Sequence, residues 1–152
     1  MFFIYFGELN YMYYLKTSAS FDSAHFLAGY EGKCSNIHGH RWTVEVKISG
    51  EKLIDSGTKR GMLIDFSDLK KAVRDIADSY DHAFIYEEGS LRPATVKALT
   101  EENFRLIPVA FRPTAENFAR SFFEILSEKG LDVHSVTVYE TPDNCAVYEV
   151  EK

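Results

Sequence analysis

Residues 13–21, YYLKTSASF, set Tyr13, Leu15, Thr17, Ala19 and Phe21 at every second position. A strand turns successive side chains to opposite faces, so this alternation predicts a β-strand. The pattern recurs over 42–49, WTVEVKIS, where Trp42, Val44, Val46 and Ile48 are interleaved with Thr43, Glu45 and Lys47. That is the signature of a half-buried strand. The period then lengthens. Phe66, Leu69, Val73, Ile76 and Tyr80 recur at helical spacing over 66–80, with Asp65 or Ser67 placed to cap the first turn. A second amphipathic helix is expected from Ala115 to Lys129, with Phe118, Phe122, Ile125 and Leu126 as its apolar stripe. Thr114 is its expected N-cap, Pro113 precedes it and Gly130 follows its end. Two closing strands, near 133–140 and 145–150, are joined by the turn sequence TPDN. Residues 83–112 carry a weaker pattern, with a short helix around 94–105 inside an insertion at 87–112. The order ββ, α, insertion, α, ββ shows no βαβ alternation. It predicts an α+β domain with a four-stranded antiparallel sheet and two helices.

Composition narrows the class. Hydrophobic residues make up 45% of the 152 residues and aromatics 14%, which suits one packed globular domain over 1–152. The net charge of −6 argues against a nucleic-acid partner, because phosphate binding needs a basic surface. Two cysteines, Cys34 and Cys145, make a disulfide framework improbable. The opening MFFIYFGELNYMYY is aromatic but short and is interrupted by Glu8, so neither a membrane span nor a signal peptide is expected. A cytoplasmic location is the default. Residues 1–11 read as an N-terminal extension.

The candidate chemistry gathers at CSNIHGH, residues 34–40. If a strand begins here, His38 and His40 project to one face. Gly39 between them would let a backbone or ligand come close. His25, ending the first strand in FDSAH, is the natural third imidazole, since consecutive strands tend to pair. Three histidines with an open fourth position are how a catalytic zinc site is commonly built. A bare H-x-H pair is a weak signal, however, and a lone His25 is more often a hydrogen-bonded or surface residue. A zinc finger is disfavoured because its second ligand pair is missing. Cys145, in an apolar strand, is expected to be buried and inert, and His134 to be structural. Cys34 lies in a loop beside Lys33, where a thiolate would be favoured; it reads equally as a passive loop cysteine. Asp81-His82 follows the first helix and reads either as a carboxylate orienting an imidazole or as a cap and turn. Glu140 ends the strand VTVYE. Alone it is an exposed strand end, but a carboxylate there could accept paired N–H bonds from a pterin or guanine ring.

Taken in order, FDSAH (21–25), CSNIHGH (34–40), GMLIDFSDLK (61–70), Asp81-His82, PTAEN (113–117) and VYET (138–141) resemble the 6-pyruvoyltetrahydropterin synthase superfamily. The resemblance covers most of 13–150 and is nearest the bacterial 6-carboxy-5,6,7,8-tetrahydropterin synthases of queuosine biosynthesis. The three residues between Cys34 and His38 and the IDF at 64–66 favour that branch. A glutamate directly after the cysteine would mark an aldolase-like branch, and Ser35 stands there instead. The resemblance implies the tunnelling fold, in which ββααββ subunits assemble around a barrel, typically as hexamers built from trimers with sites between subunits. It implies zinc on His25, His38 and His40, and Cys34 as the catalytic thiol. It implies Asp81 and His82 as relay partners from a neighbouring subunit, Glu140 as the pterin anchor, and Thr114 and Ala115 beside the ring. The implied substrate is 7,8-dihydroneopterin triphosphate. A pyruvoyl-forming lyase and a zinc- and pterin-binding protein without turnover are the alternative readings.

Overall fold

The computed structural model describes residues 11–151. The extension expected at 1–11 therefore lies outside the described residues, apart from Tyr11. The elements in chain order are β1 (Tyr13–His25), β2 (His38–Gly50), α1 (Phe66–Tyr80), β3 (Ala83–Glu87), α2 (Pro93–Glu101), β4 (Leu106–Val109), α3 (Ala115–Glu128), β5 (Val133–Thr141) and β6 (Asn144–Glu149).

The α+β class holds, but the sheet is larger than expected. Six strands run in the order β4-β3-β1-β2-β5-β6. Four of them, β1, β2, β5 and β6, pair antiparallel as the alternation predicts. β3 and β4 add a parallel edge, so the sheet is mixed rather than four-stranded and antiparallel. The insertion supplies much of this edge. It contains α2, ending at Glu101 rather than near 105, and then β4. α2 buries no residue, which is why its sequence shows no apolar stripe.

β1 and β2 also run further than their hydrophobic stretches. Their ladder extends from Tyr13↔Gly50 to His25↔His38, so β2 begins at His38 rather than at Trp42. Phe21, Trp42, Val44, Val46, Val136 and Val138 point to one face and are buried there with Leu69, Val73, Phe118 and Phe122 of α1 and α3. Phe118 and Phe122 are fully buried and stack at 5.6 Å, and Phe118 meets Trp42 edge-on at 5.1 Å. Burying side chains of this size contributes roughly 1.5–3 kcal/mol each and anchors both helices to the sheet.

The helix ends follow from their caps. The Asp65 carboxylate accepts from the Ser67 N–H at 2.8 Å, so Asp65, not Ser67, is the N-cap of α1. The Thr114 hydroxyl accepts from the Asn117 N–H and caps α3. Gly130, at φ +86°, adopts the left-handed conformation that closes the far end of α3. Cys145 departs from expectation. It is exposed, because its register opposite Tyr139 puts it on the sheet face away from the helices, on an edge strand. No helix among the described residues is long and apolar enough to cross a membrane.

Candidate metal centre and active site

The antiparallel register builds the first part of the site. His25 faces His38 across the ladder and Ser23 faces His40, so all three imidazoles share the helix-covered face at its end. One ring nitrogen from each of His25, His38 and His40 lies within 4.8 Å of the others. The rings sit on Trp42, whose indole is 5.0 Å from His25 and 5.3 Å from His40. His25 is buried, at 1% exposure. Desolvation holds the His25 and His40 imidazoles below their usual pKa, so both favour the neutral form that a metal requires.

Hydrogen bonding fixes the tautomers. His25 Nδ1 lies 2.7 Å from the carbonyl of Pro113, and His38 Nδ1 lies 2.8 Å from that of Asn36. A carbonyl can only accept, so both Nδ1 atoms carry the proton. In the neutral rings both Nε2 atoms are then bare lone pairs, yet they face each other at 3.1 Å. His40 Nε2 is buried without a hydrogen-bond partner. Lone pairs converging in this way repel unless a cation lies between them. The residues present therefore fit a divalent metal held by three imidazoles, with the carbonyls of Pro113 and Asn36 orienting the ligands. Neither carbonyl was identifiable from sequence, because main-chain acceptors carry no residue code.

Gly39 is not needed for backbone clearance. A Cβ there would lie 3.4 Å from the Ser23 carbonyl, an ordinary contact. Its side of the strand instead lines two open cavities.

Cys34 is partly buried in a 3₁₀ turn, Lys33–Ser35, within the loop joining His25 to His38. Its carbonyl accepts from the Leu27 N–H at 2.8 Å, and Arg112 donates to the Ala28 carbonyl at 2.9 Å, tying this loop to the segment before α3. Thr114 and Ala115 start α3 immediately after Pro113. Glu140 follows Tyr139, the last residue of β5 paired with β2, and its Oε1 lies 3.6 Å from His40 Nε2. Glu140 and His40 line a cavity of about 540 Å³ with Tyr139, Thr141 and Arg41.

Asp81 and His82 form a dyad at the end of α1. His82 Nδ1 is 2.6 Å from Asp81 Oδ2, while Asp81 Oδ1 accepts from the Asp22 N–H at 2.8 Å. These two bonds, the Asp22 N–H first, hold the Asp81 carboxyl below the ordinary carboxylate range. The His82 side chain is 80% exposed. It lines a cavity of about 670 Å³ together with His40, Arg41, Phe84, Leu99 and Arg105.

A mixed α+β sheet thus carries three clustered imidazoles that could hold a metal ion and, separately, a histidine paired with a carboxylate. The family model for 6-pyruvoyl tetrahydropterin synthase matches residues 14–151, and the chain belongs to that family. It is 42% identical over 141 residues to a 6-carboxy-5,6,7,8-tetrahydropterin synthase of Haemophilus influenzae, covering 91% of this chain and 99% of the relative. It is 30% identical to an enzyme of the same name from Synechocystis, over 90% and 93% of the two chains. Among solved structures, an uncharacterized protein from Wolinella succinogenes superposes with a TM-score of 0.78 at 23% identity, covering 93% and 99% of the chains. The 6-pyruvoyl tetrahydropterin synthase of Caenorhabditis elegans superposes with a TM-score of 0.63 at 25% identity, covering 92% and 96%.

Proposed function

We propose that this protein is a zinc-dependent 6-carboxy-5,6,7,8-tetrahydropterin synthase. It would convert 7,8-dihydroneopterin triphosphate and water to 6-carboxytetrahydropterin, acetaldehyde and triphosphate in queuosine biosynthesis. The observation that carries the reading is the convergence of two bare Nε2 lone pairs at 3.1 Å beside His40 Nε2, which is buried without a hydrogen bond. The 42% identity to a relative of that name selects the carboxy-forming reaction.

In this reading His25, His38 and His40 hold the zinc. When bound, zinc supplies a Lewis acid that polarises the substrate side-chain hydroxyls. Glu140 anchors the pterin by accepting its adjacent N–H and amino protons side by side. Thr114 and Ala115, at the start of α3, flank the ring. The Cys34 thiolate removes and returns side-chain protons, His82 relays them, and Asp81 keeps the His82 Nδ1 proton in place so that Nε2 faces the substrate. The assembly is a hexamer of two trimers, with Asp81 and His82 delivered to the metal site of a neighbouring subunit. The free edge of β1 supports assembly, since β3 reaches only Ser23 and Ala24 and the rest of that edge has no strand beside it among the described residues.

The test is to incubate the zinc-loaded protein with 7,8-dihydroneopterin triphosphate and identify products by mass spectrometry. Carboxytetrahydropterin with acetaldehyde is the expected result. A pyruvoyl product would move the protein to the other branch of the family, and unchanged substrate would refute the assignment.

A further inference from the structure

Resting on that reading, we infer that Arg105, from the insertion, is a positioning residue for the Asp81–His82 dyad. Its guanidinium donates to the carbonyls of Asp81 and Ser79, both at 2.7 Å. Its own carbonyl accepts from the Phe84 N–H at 2.9 Å. Arg105 therefore grips the chain before and after His82, with side chain on one side and main chain on the other.

The grip matters because of where His82 sits. Its φ is +50°, in the left-handed region that residues other than glycine rarely adopt. Such a conformation persists only when its surroundings over-determine it. Three restraints do so. The His82 N–H donates to the Asp22 carbonyl at 2.7 Å, and the Asp22 N–H donates back to the Asp81 carboxylate. The Ser23 hydroxyl donates to the Tyr80 carbonyl. These two hold the turn to β1, the strand that carries His25. Arg105, the residue before β4, supplies the third restraint.

α1 also ends here without a glycine, and its last turn contains no basic residue of its own. Its terminal carbonyls lack intrahelical partners by construction. The planar fork of an arginine can satisfy two at once, where a lysine offers a point charge. The insertion thus acquires a role: it delivers a guanidinium from a distant segment to the end of α1 and walls the cavity that His82 faces, through Leu99 and Arg105.

Arg105→Ala and Arg105→Lys separate this role from a general effect on folding. For Arg105→Ala we expect unchanged metal content and KM, and a fall in kcat of about ten- to a hundredfold, the scale of a misplaced catalytic group. Arg105→Lys should recover part of the loss. The decisive readout needs no turnover. In histidine-labelled protein, the downfield Nδ1 proton resonance of His82, held by Asp81, should broaden or vanish in Arg105→Ala and return partly in Arg105→Lys. Circular dichroism checks that both variants are folded. An unaltered His82 resonance in a folded Arg105→Ala protein would overturn the inference, even if activity fell. An inactive wild type whose His82 resonance still depends on Arg105 would instead refute the proposed reaction and leave the positioning role standing.

Discussion

The histidine triad and the Asp81–His82 dyad reach their geometry by opposite means. The triad lies on two paired strands, its spacing set by the ladder itself, with His25 and His40 packed on Trp42 and the Nδ1 atoms of His25 and His38 held by carbonyls. The dyad lies on a single turn with His82 left-handed and largely exposed, and is restrained by bonds from β1 and from Arg105 just before β4. Regular structure places the first, whereas tertiary clamps place the second. Damage to the triad should therefore be all-or-none, and damage to the dyad should be graded.

The largest effect is expected from His38→Ala. With two imidazoles left, metal content measured by elemental analysis should collapse and activity with it. Retention of stoichiometric metal would break the contrast at its strongest point. Cys34→Ala should keep metal and pterin affinity but lower kcat by about a thousandfold, as expected for loss of a proton-transferring group. Normal turnover would remove Cys34 from the assigned role. Asp81→Asn should keep the metal and lower kcat by about a hundredfold, because the amide can present its N–H to His82 Nδ1 and so no longer enforce one tautomer.

Acid sharpens the same comparison through stability. The Asp81 carboxyl is held below its ordinary value of 3.8, so the folded state favours its ionised form. Its contribution is fully present above 3.8 and is lost as pH falls through the lower folded value. In metal-free protein, the stability difference between wild type and Asp81→Asn, read from urea melts, should shrink as pH drops through that range. A difference independent of pH would mean that the carboxylate charge is not what holds the turn. The smallest effect should come from Asn36→Ala. It keeps the carbonyl that His38 uses, so metal affinity should change by no more than about twofold, typical of a surface substitution.

Legibility in the sequence followed the same divide. Alternation at Tyr13–Phe21 and Trp42–Ile48 announced the strands, and an even spacing put His38 and His40 on one face, because a strand's period is a local property. The caps Asp65 and Thr114 were equally local. β3 and β4 were hidden, since five- and four-residue strands at a sheet edge are too short to show a period. Arg105 was hidden for a different reason: its partners are carbonyls 24 and 26 residues away in sequence. Cys145 misled because an apolar run does not reveal which face of an edge strand is covered.

The Nδ1 partners of His25 and His38 are main-chain carbonyls, and this bears on how the site tolerates change. A saturation screen would score residue 36 as permissive, although the atom it contributes orients the His38 ring, a proposed metal ligand. Only alterations to the path of the chain, an inserted or deleted residue in the 26–37 loop, would expose the dependence. The centre can thus drift in composition around its ligands while remaining intolerant of any change in loop length.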